Sequence, residues 1–194
     1  MKEITNNIWD NKICKATKTE RDEIIKNLII AIDTREKDPL NFKFKDYELQ
    51  TVRATLKFGD YTCFYPNLRD EVCIERKSLQ DFIQCCTHER ERFEKELIAM
   101  RGYDIKFILC EFNIPDIIEY LNENNKGSLI NAILNSAIGF YEHYGIPCIF
   151  AGNRNLASRY IAETLIFRIK KIHYYMRTIY DNISINTTEK RQMS

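Results

Sequence analysis

Phe58-Gly59-Asp60-Tyr61-Thr62-Cys63-Phe64-Tyr65-Pro66-Asn67-Leu68-Arg69-Asp70-Glu71-Val72-Cys73-Ile74-Glu75-Arg76-Lys77 is the stretch on which the fold turns. Tyr61 to Tyr65 and Glu71 to Ile74 are rich in aromatic and β-forming residues. Pro66 to Asp70 between them has turn chemistry, so the spacing predicts a β-hairpin. Asp60 and Glu75 stand at its two sides with fourteen residues between them, and strand pairing can bring their carboxylates together. Lys77 follows Glu75 by two, which in a strand places both side chains on one face. Arg76 points to the other face, unless the strand ends there and lets it turn. A solvated charge run is the plain alternative. However, these charges follow directly on the apolar Val72-Cys73-Ile74, an arrangement that is costly unless something uses them.

Reading outward, Leu28 to Ile32 is a continuous β-branched run suited to a buried strand ending at Asp33. Thr51 to Leu56 predicts a second strand, Ile105 to Phe112 another and Ile146 to Ala151 the last. Ser78 to Asp81 has the capping-box pattern of a helix start, with Leu79, Phe82, Ile83 and Cys86 on one face of the helix beyond. After a break near Thr87-His88, Phe93, Leu97 and Met100 continue an apolar stripe. A short helix is expected around Asp116 to Leu121. Ser128 is expected to cap a longer helix whose apolar positions Ile130, Ile133, Leu134, Ala137, Ile138 and Tyr141 follow the 3.6-residue period, with Gly145 ending it. Asn153 or Asn155 then opens a final helix toward Tyr180. Strands separated by helices imply an α/β sandwich with a mixed sheet. The expected organisation is a lead-in over 1–26, one domain over 27–180 and a polar tail over 181–194, with Glu20 to Leu28 able to form a short helix across the first boundary.

The 194 residues suffice for one well-cored domain. At 44% hydrophobic and 29% charged, with 6 Gly and 4 Pro, disorder over the whole length is excluded. A net charge of +1 gives no global attraction to nucleic acid, so such binding must come from local patches. Seven cysteines without a CxxC pair and three dispersed histidines give a structural zinc site no support. They read as reduced thiols, several of them core hydrophobes, in an intracellular protein: cytoplasmic if prokaryotic or viral, nuclear if eukaryotic. No apolar run approaches membrane-spanning length.

Phosphodiester hydrolysis needs a cation to neutralise the phosphate, an activated water and a stabilised leaving oxygen. Mg²⁺ prefers hard oxygen ligands and takes one or two carboxylates with waters and substrate, which Asp60 and Glu75 supply. An ammonium at Lys77 can orient or deprotonate water and offset phosphate charge. The order acidic, hairpin, acidic-x-Lys is shared by many restriction-type nucleases and arises often by chance. The longer stretch is more specific: Gly59-Asp60 followed by Glu75-Arg76-Lys77-Ser78-Leu79-Gln80-Asp81 resembles the signature GD…ERKxxxD of the XPF nuclease family, without substitution. Ile32 to Glu36 resembles that family's opening strand and its acidic end. Arg92 to Leu97 resembles the helix after its substrate-side loop, and Ile108 to Glu111 its next strand.

The resemblance covers roughly residues 28 to 150. It implies a restriction-endonuclease-like three-layer sandwich and a DNA endonuclease using Mg²⁺ or Mn²⁺ on branched or flapped duplexes, in repair or recombination. It makes Asp60 and Glu75 metal ligands, Asp33 a further acidic ligand, direct or through water, and Lys77 the catalytic lysine. Arg76, Asp81 and Arg92 support the site or the scissile phosphate, and Glu36 is a secondary candidate. Arg154, Arg159, Lys170 and Lys171 on the basic last helix are candidate DNA contacts, against the plain reading of a solvated face. The family commonly pairs two nuclease domains, so a homodimer or heterodimer is expected, through the Ser128–Tyr144 helix or the last helix. The family's tandem helix-hairpin-helix module finds no counterpart in the expected tail. Two other readings remain: a non-catalytic DNA-binding scaffold subunit, and a restriction-like or mobile-element nuclease.

Overall fold

The computed structural model describes residues 17–66 and 72–192. Two compact units are distinguished, Leu28–Ala162 and a second made of Met1–Asn27 with Glu163–Ser194. The first contains six strands: β1 (Ile29–Asp33), β2 (Gln50–Ala54), β3 (Tyr61–Phe64), β4 (Val72–Lys77), β5 (Ile105–Cys110) and β6 (Cys148–Phe150). They form one sheet in the order β2-β1-β3-β4-β5-β6. The β1–β3 and β3–β4 pairs are antiparallel, while β1–β2, β4–β5 and β5–β6 are parallel. The sheet is therefore mixed, as expected. The hairpin is present as β3 and β4, with Tyr61 opposite Ile74. The turn assigned to Pro66–Asp70 lies largely outside the described residues.

The pleat of β4 sorts its residues by face. Ile74 pairs in register with Phe107, and Phe107 meets the Tyr160 ring edge-on at 5.6 Å. On the opposite face Cys73, Ile108 and Cys110 join a core with Phe82, Phe93, Leu97, Ile117, Ile133 and Phe140. These come from α2 (Leu79–Cys86), α3 (Arg90–Met100), α4 (Ile114–Glu123) and α5 (Ile130–Tyr144). The rings of Phe93 and Phe140 pack edge-on at 5.4 Å, and Phe82 meets Phe112 at 5.5 Å. With both faces of β4 covered, continuous burial replaces alternation along it. The helices on one face, the sheet, and the start of α6 (Arg154–Gln192) on the other make the three layers.

Local signals account for the helix boundaries. The Ser78 Oγ accepts the Asp81 N–H at 3.3 Å, the N-cap read from the sequence. Asn113 and Asp116 form a reciprocal capping box at α4. Gly145 ends α5 at φ 68°, a left-handed conformation glycine adopts without cost. Asn153 opens α6, its Oδ1 accepting the Leu156 N–H at 2.9 Å.

Three expectations differ. Ser128 does not cap α5, because Gly127–Leu129 forms a 3₁₀ turn and the helix begins at Ile130 without a side-chain cap. The inner face of α5 is Ile133, Ser136 and Phe140, while Ile138 and Tyr141 lie outside, 60% and 58% exposed. Ser136 is admitted to the interior because it donates to the Ala132 carbonyl and accepts from Arg90 Nη1, both at 2.8 Å. Finally, α6 runs on to Gln192 through the polar residues read as a tail. No proline or glycine interrupts Asp181–Gln192, so nothing there stops a helix.

In the second unit, α1 (Lys18–Asn27) is tied to α6 by Arg21, whose guanidinium donates to both Glu163 oxygens at 3.0 and 2.8 Å. Arg177 donates to Glu20 at 2.9 Å.

Gly59 holds the turn into β3 at φ +73°, where a Cβ would come within 2.8 Å of Cys73 Sγ and 3.0 Å of the Ile74 carbonyl oxygen. Gly59→Ala is expected to lower stability by about 1–3 kcal/mol in urea titration. Gly102, where a Cβ would meet nothing within 4 Å, should tolerate alanine within about 0.5 kcal/mol. Equal costs at the two positions would refute this account of the turn.

Candidate active site

Asp60 immediately precedes β3. Its N–H donates to the Ile74 carbonyl at 2.8 Å, while its Oδ2 accepts the Arg76 N–H at 2.8 Å. The aspartate is thus stitched to both edges of residue 75 on the neighbouring strand. Glu75 and Lys77 share a face of β4, with Lys77 Nζ donating to Glu75 Oε1 at 2.6 Å. The ammonium also lies 4.8 Å from the Phe93 ring centroid on α3, a cation–π contact favoured by desolvation.

A cavity of about 250 Å³ opens over these groups, lined by Arg35, Lys57, Phe58, Gly59, Asp60, Glu75, Lys77, Arg92, Glu96 and Met100. Burial and the Glu75 charge push the Asp60 carboxyl up to about 7 from 3.8. Burial works against the charged form of Lys77, but Glu75 outweighs it and raises the ammonium above its usual range. Lys77 is thereby held in its charged form. Burial and the charge of Glu75 also raise the Glu96 carboxyl.

Asp60 Oδ1 and Glu75 Oε2 accept no hydrogen bond among the described residues. Two like-charged, partly dewatered carboxylates with one oxygen each to spare fit a hard divalent cation. No cluster of three or more His, Cys, Asp or Glu able to hold a metal occurs among the described residues.

Apart from Arg92, the other residues read from the sequence are placed outside the cavity lining. Arg76 lies on the far face of β4, where its guanidinium donates to Glu36 at 2.9 and 3.1 Å and to Glu111 at 2.9 Å. Burial opposes its charge, but these partners overcompensate and hold the guanidinium protonated. Glu36 is thereby committed to Arg76 and to the Asp38 N–H, the latter at 2.9 Å.

Asp33 is buried, and both its oxygens are occupied by Arg35 and the Leu56 N–H. The hydrogen bond from the Arg35 side chain holds its carboxyl down at about 2. Asp81 does not line the cavity. It accepts the Ser78 hydroxyl at 2.6 Å and fixes the passage from β4 into α2.

Arg92 does line the cavity, braced by Glu96 at 2.6 Å and by Glu89. Arg154 is spent on Glu111 at 3.0 Å and on the Asp38 and Pro39 carbonyls at 2.9 and 3.1 Å. Arg159 donates to Asp46 at 2.6 and 2.9 Å and lies 4.9 Å from each of the Phe44 and Tyr47 rings. Lys170 and Lys171 belong to the second unit.

Arg35, Lys57, Phe58, Glu96 and Met100 escaped the sequence reading. Lys57 and Phe58 precede Gly59-Asp60 directly, and Glu96 follows Arg92 at the i, i+4 spacing of a helical ion pair. Those were the available signals.

No helix among the described residues is long and apolar enough to cross a membrane. No curated protein matches the sequence. Among solved structures, XPF from Aeropyrum pernix superposes with a TM-score of 0.56 at 17% identity, over 79% of this chain and 73% of that one. XPF from Aeropyrum pernix in complex with DNA gives 0.55 at 19% identity, over 74% and 65%. At these identities the likeness speaks for the fold, which matches the sandwich expected from the sequence. The ERCC4 domain family model matches residues 32–164, a span that holds the whole cavity, and the chain belongs to that family of XPF-type nuclease domains.

Proposed function

We propose that the chain is a Mg²⁺- or Mn²⁺-dependent endonuclease that hydrolyses phosphodiester bonds in DNA, with branched or flapped duplexes of repair or recombination as its substrates. The observation that carries this reading is the convergence of Asp60, Glu75 and Lys77 in one open cavity. Asp60 and Glu75, each with an oxygen that accepts no hydrogen bond among the described residues, would hold the cation. When bound, it supplies charge neutralisation at the scissile phosphate and an acidified water.

The chain's own residues do the rest. Lys77, kept protonated, stabilises charge developing on a phosphate oxygen, in a site where water is scarce enough for that charge to count. Asp60 is oriented by the Arg76 N–H, and Glu75 by Lys77. Arg92 and Lys57 offer cations to the strand entering the cavity. Membership of the ERCC4 family supports DNA as the substrate, as does the DNA complex of the similar Aeropyrum pernix protein.

With Mg²⁺ or Mn²⁺, purified protein is expected to nick flap and fork DNA in preference to linear duplex, single strands or circles. Asp60→Ala and Glu75→Ala should each lower the rate roughly 100-fold or more. Absence of cutting on the whole panel, or identical behaviour of Asp60→Ala, would remove the reading.

The Asp60 shift gives a second test. The unfolded carboxyl titrates near 3.8 and the folded one at about 7, so the folded state holds the extra proton between these values. The stability contributed by the neutral carboxyl is complete below the unfolded value and lost as pH rises through the folded one. Without metal, Asp60→Asn should therefore melt at a higher temperature than wild type at about pH 8, with the gap closing toward about pH 4. Mg²⁺ should narrow the gap at the higher pH by stabilising wild type alone. A gap that does not change with pH contradicts this.

Pairing of two nuclease domains through the outer face of α5 belongs to the same proposal, and the exposed Ile138 and Tyr141 support it. Light scattering at micromolar concentration should give the mass of a dimer, and Ile138→Asp with Tyr141→Asp that of a monomer. A monomeric wild type rejects the pairing.

A further inference from the structure

Asp33 is 1% exposed, yet its carboxylate is fully supplied with donors. Oδ1 accepts the Arg35 N–H at 2.8 Å and Arg35 Nε at 2.6 Å; Oδ2 accepts the Leu56 N–H at 2.8 Å and Arg35 Nη2 at 3.1 Å. A carboxylate has about four lone-pair sites, and four donors fill these. No oxygen of Asp33 is left over for a cation.

Arg35 is its counterpart. The side chain is 69% exposed, but its conformation is fixed by the fork to Asp33 and by a further bond from Nη2 to the Leu56 carbonyl at 3.1 Å. Among the described residues Nη1 donates no hydrogen bond. The same side chain lines the cavity that contains Asp60 and Glu75; the hydrogen bond and charge of Asp33 hold it protonated, with smaller contributions from Asp60 and Glu75. A solvent-exposed guanidinium ordered in advance, with donors to spare at the edge of the site, has the planar geometry that grips a phosphate.

We propose that Arg35 is a phosphate-binding residue of this site, oriented by Asp33, and that Asp33 is a positioning residue with no place among the metal ligands. The inference rests on the nuclease reading for the identity of the ligand, a phosphate of the DNA strand. Its geometry is independent of the cation. Asp33 ends β1 and Leu56 follows β2, so the clamp ties these two parallel strands together beside the cavity. Lys57, next to Leu56, is carried to the cavity by the same tie.

The test uses the full chain with Asp60→Asn to prevent cutting, and a fluorescent flap duplex in EDTA, with anisotropy followed over a salt series. Arg35→Ala is expected to weaken binding roughly tenfold and to lower the slope of log affinity against log salt by about one phosphate contact. Asp33→Asn should weaken binding in the same direction, and Arg35→Lys should fall between Arg35→Ala and the parent. Calorimetry with Mn²⁺ on protein carrying the native Asp60 should show Asp33→Asn binding the metal as wild type does. Melting curves identify a variant that has failed to fold; Arg35→Lys, which keeps a cation against Asp33, then decides. Parental affinity and slope in the Arg35 variants, or loss of Mn²⁺ binding in Asp33→Asn, overturns the inference. If wild type cuts no DNA while the parent binds it with a slope that depends on Arg35, the nuclease reading fails and the phosphate contact stands. A parent that binds no DNA overturns both.

Discussion

The Arg76 guanidinium, held between Glu36 and Glu111, is the interaction on which the working edge of this sheet depends. It joins three otherwise separate pieces of chain: the loop after β1, the end of β4 and the end of β5. Arg154 extends the cluster by binding Glu111 and the Asp38 and Pro39 carbonyls, so the start of α6 is included. Removing one partner from a buried ion cluster leaves an uncompensated charge, which costs more than the pair contributes. The cluster therefore fixes position more than it adds stability. What it fixes is the backbone of β4, whose Arg76 N–H orients Asp60 from the other face of the sheet.

One residue thus has two tasks set by the alternation of a strand. Its main chain orients a carboxylate on the face of the cavity, and its side chain anchors the strand from the opposite face. Glu75 and Lys77 are carried to the cavity by the same alternation. The resulting arrangement works against folding: two carboxylates and an ammonium are gathered where water is scarce, and Asp60 resists ionisation there. Gly59 adds a left-handed turn that other residues adopt at a cost. A core does not need any of this. Stability elsewhere, in the interlocked rings of Phe82, Phe93, Phe112 and Phe140, offsets it.

Much of this was legible in the sequence because it depends on short-range rules. The hairpin followed from β-forming runs around a turn, and the shared face of Glu75 and Lys77 from the pleat. The cap at Ser78 and the end of α5 at Gly145 followed from local hydrogen-bond chemistry. What failed depended on partners distant in sequence. Ser136, not among the apolar positions expected for α5, is buried there because Arg90, 46 residues away, supplies its hydrogen bond. Ile138 and Tyr141 fit the helical period and are exposed, because period alone does not say how wide the buried stripe is. The basic residues Arg154 and Arg159 look like phosphate contacts on a helical wheel. Their carboxylate partners, Glu111 and Asp46, are more than a hundred residues away for Asp46 and 43 for Glu111.

Asp33 shows the same limit at the site itself. An acidic residue at the end of a strand, next to a carboxylate pair, reads naturally as a third metal ligand. Sequence records that the carboxylate exists but not how many donors reach it. Arg35 is only two residues away, so its encounter with Asp33 is local. The Leu56 N–H, which completes the set, arrives only because β2 lies parallel to β1. Once all four acceptor positions are filled, a further cation would have to displace a hydrogen bond from a buried, ionised group, at a cost that Asp60 and Glu75 do not impose. The proposed division of labour follows from that inequality: the carboxylates with an oxygen to spare are the ones a cation would meet, and the saturated one holds an arginine in place beside them.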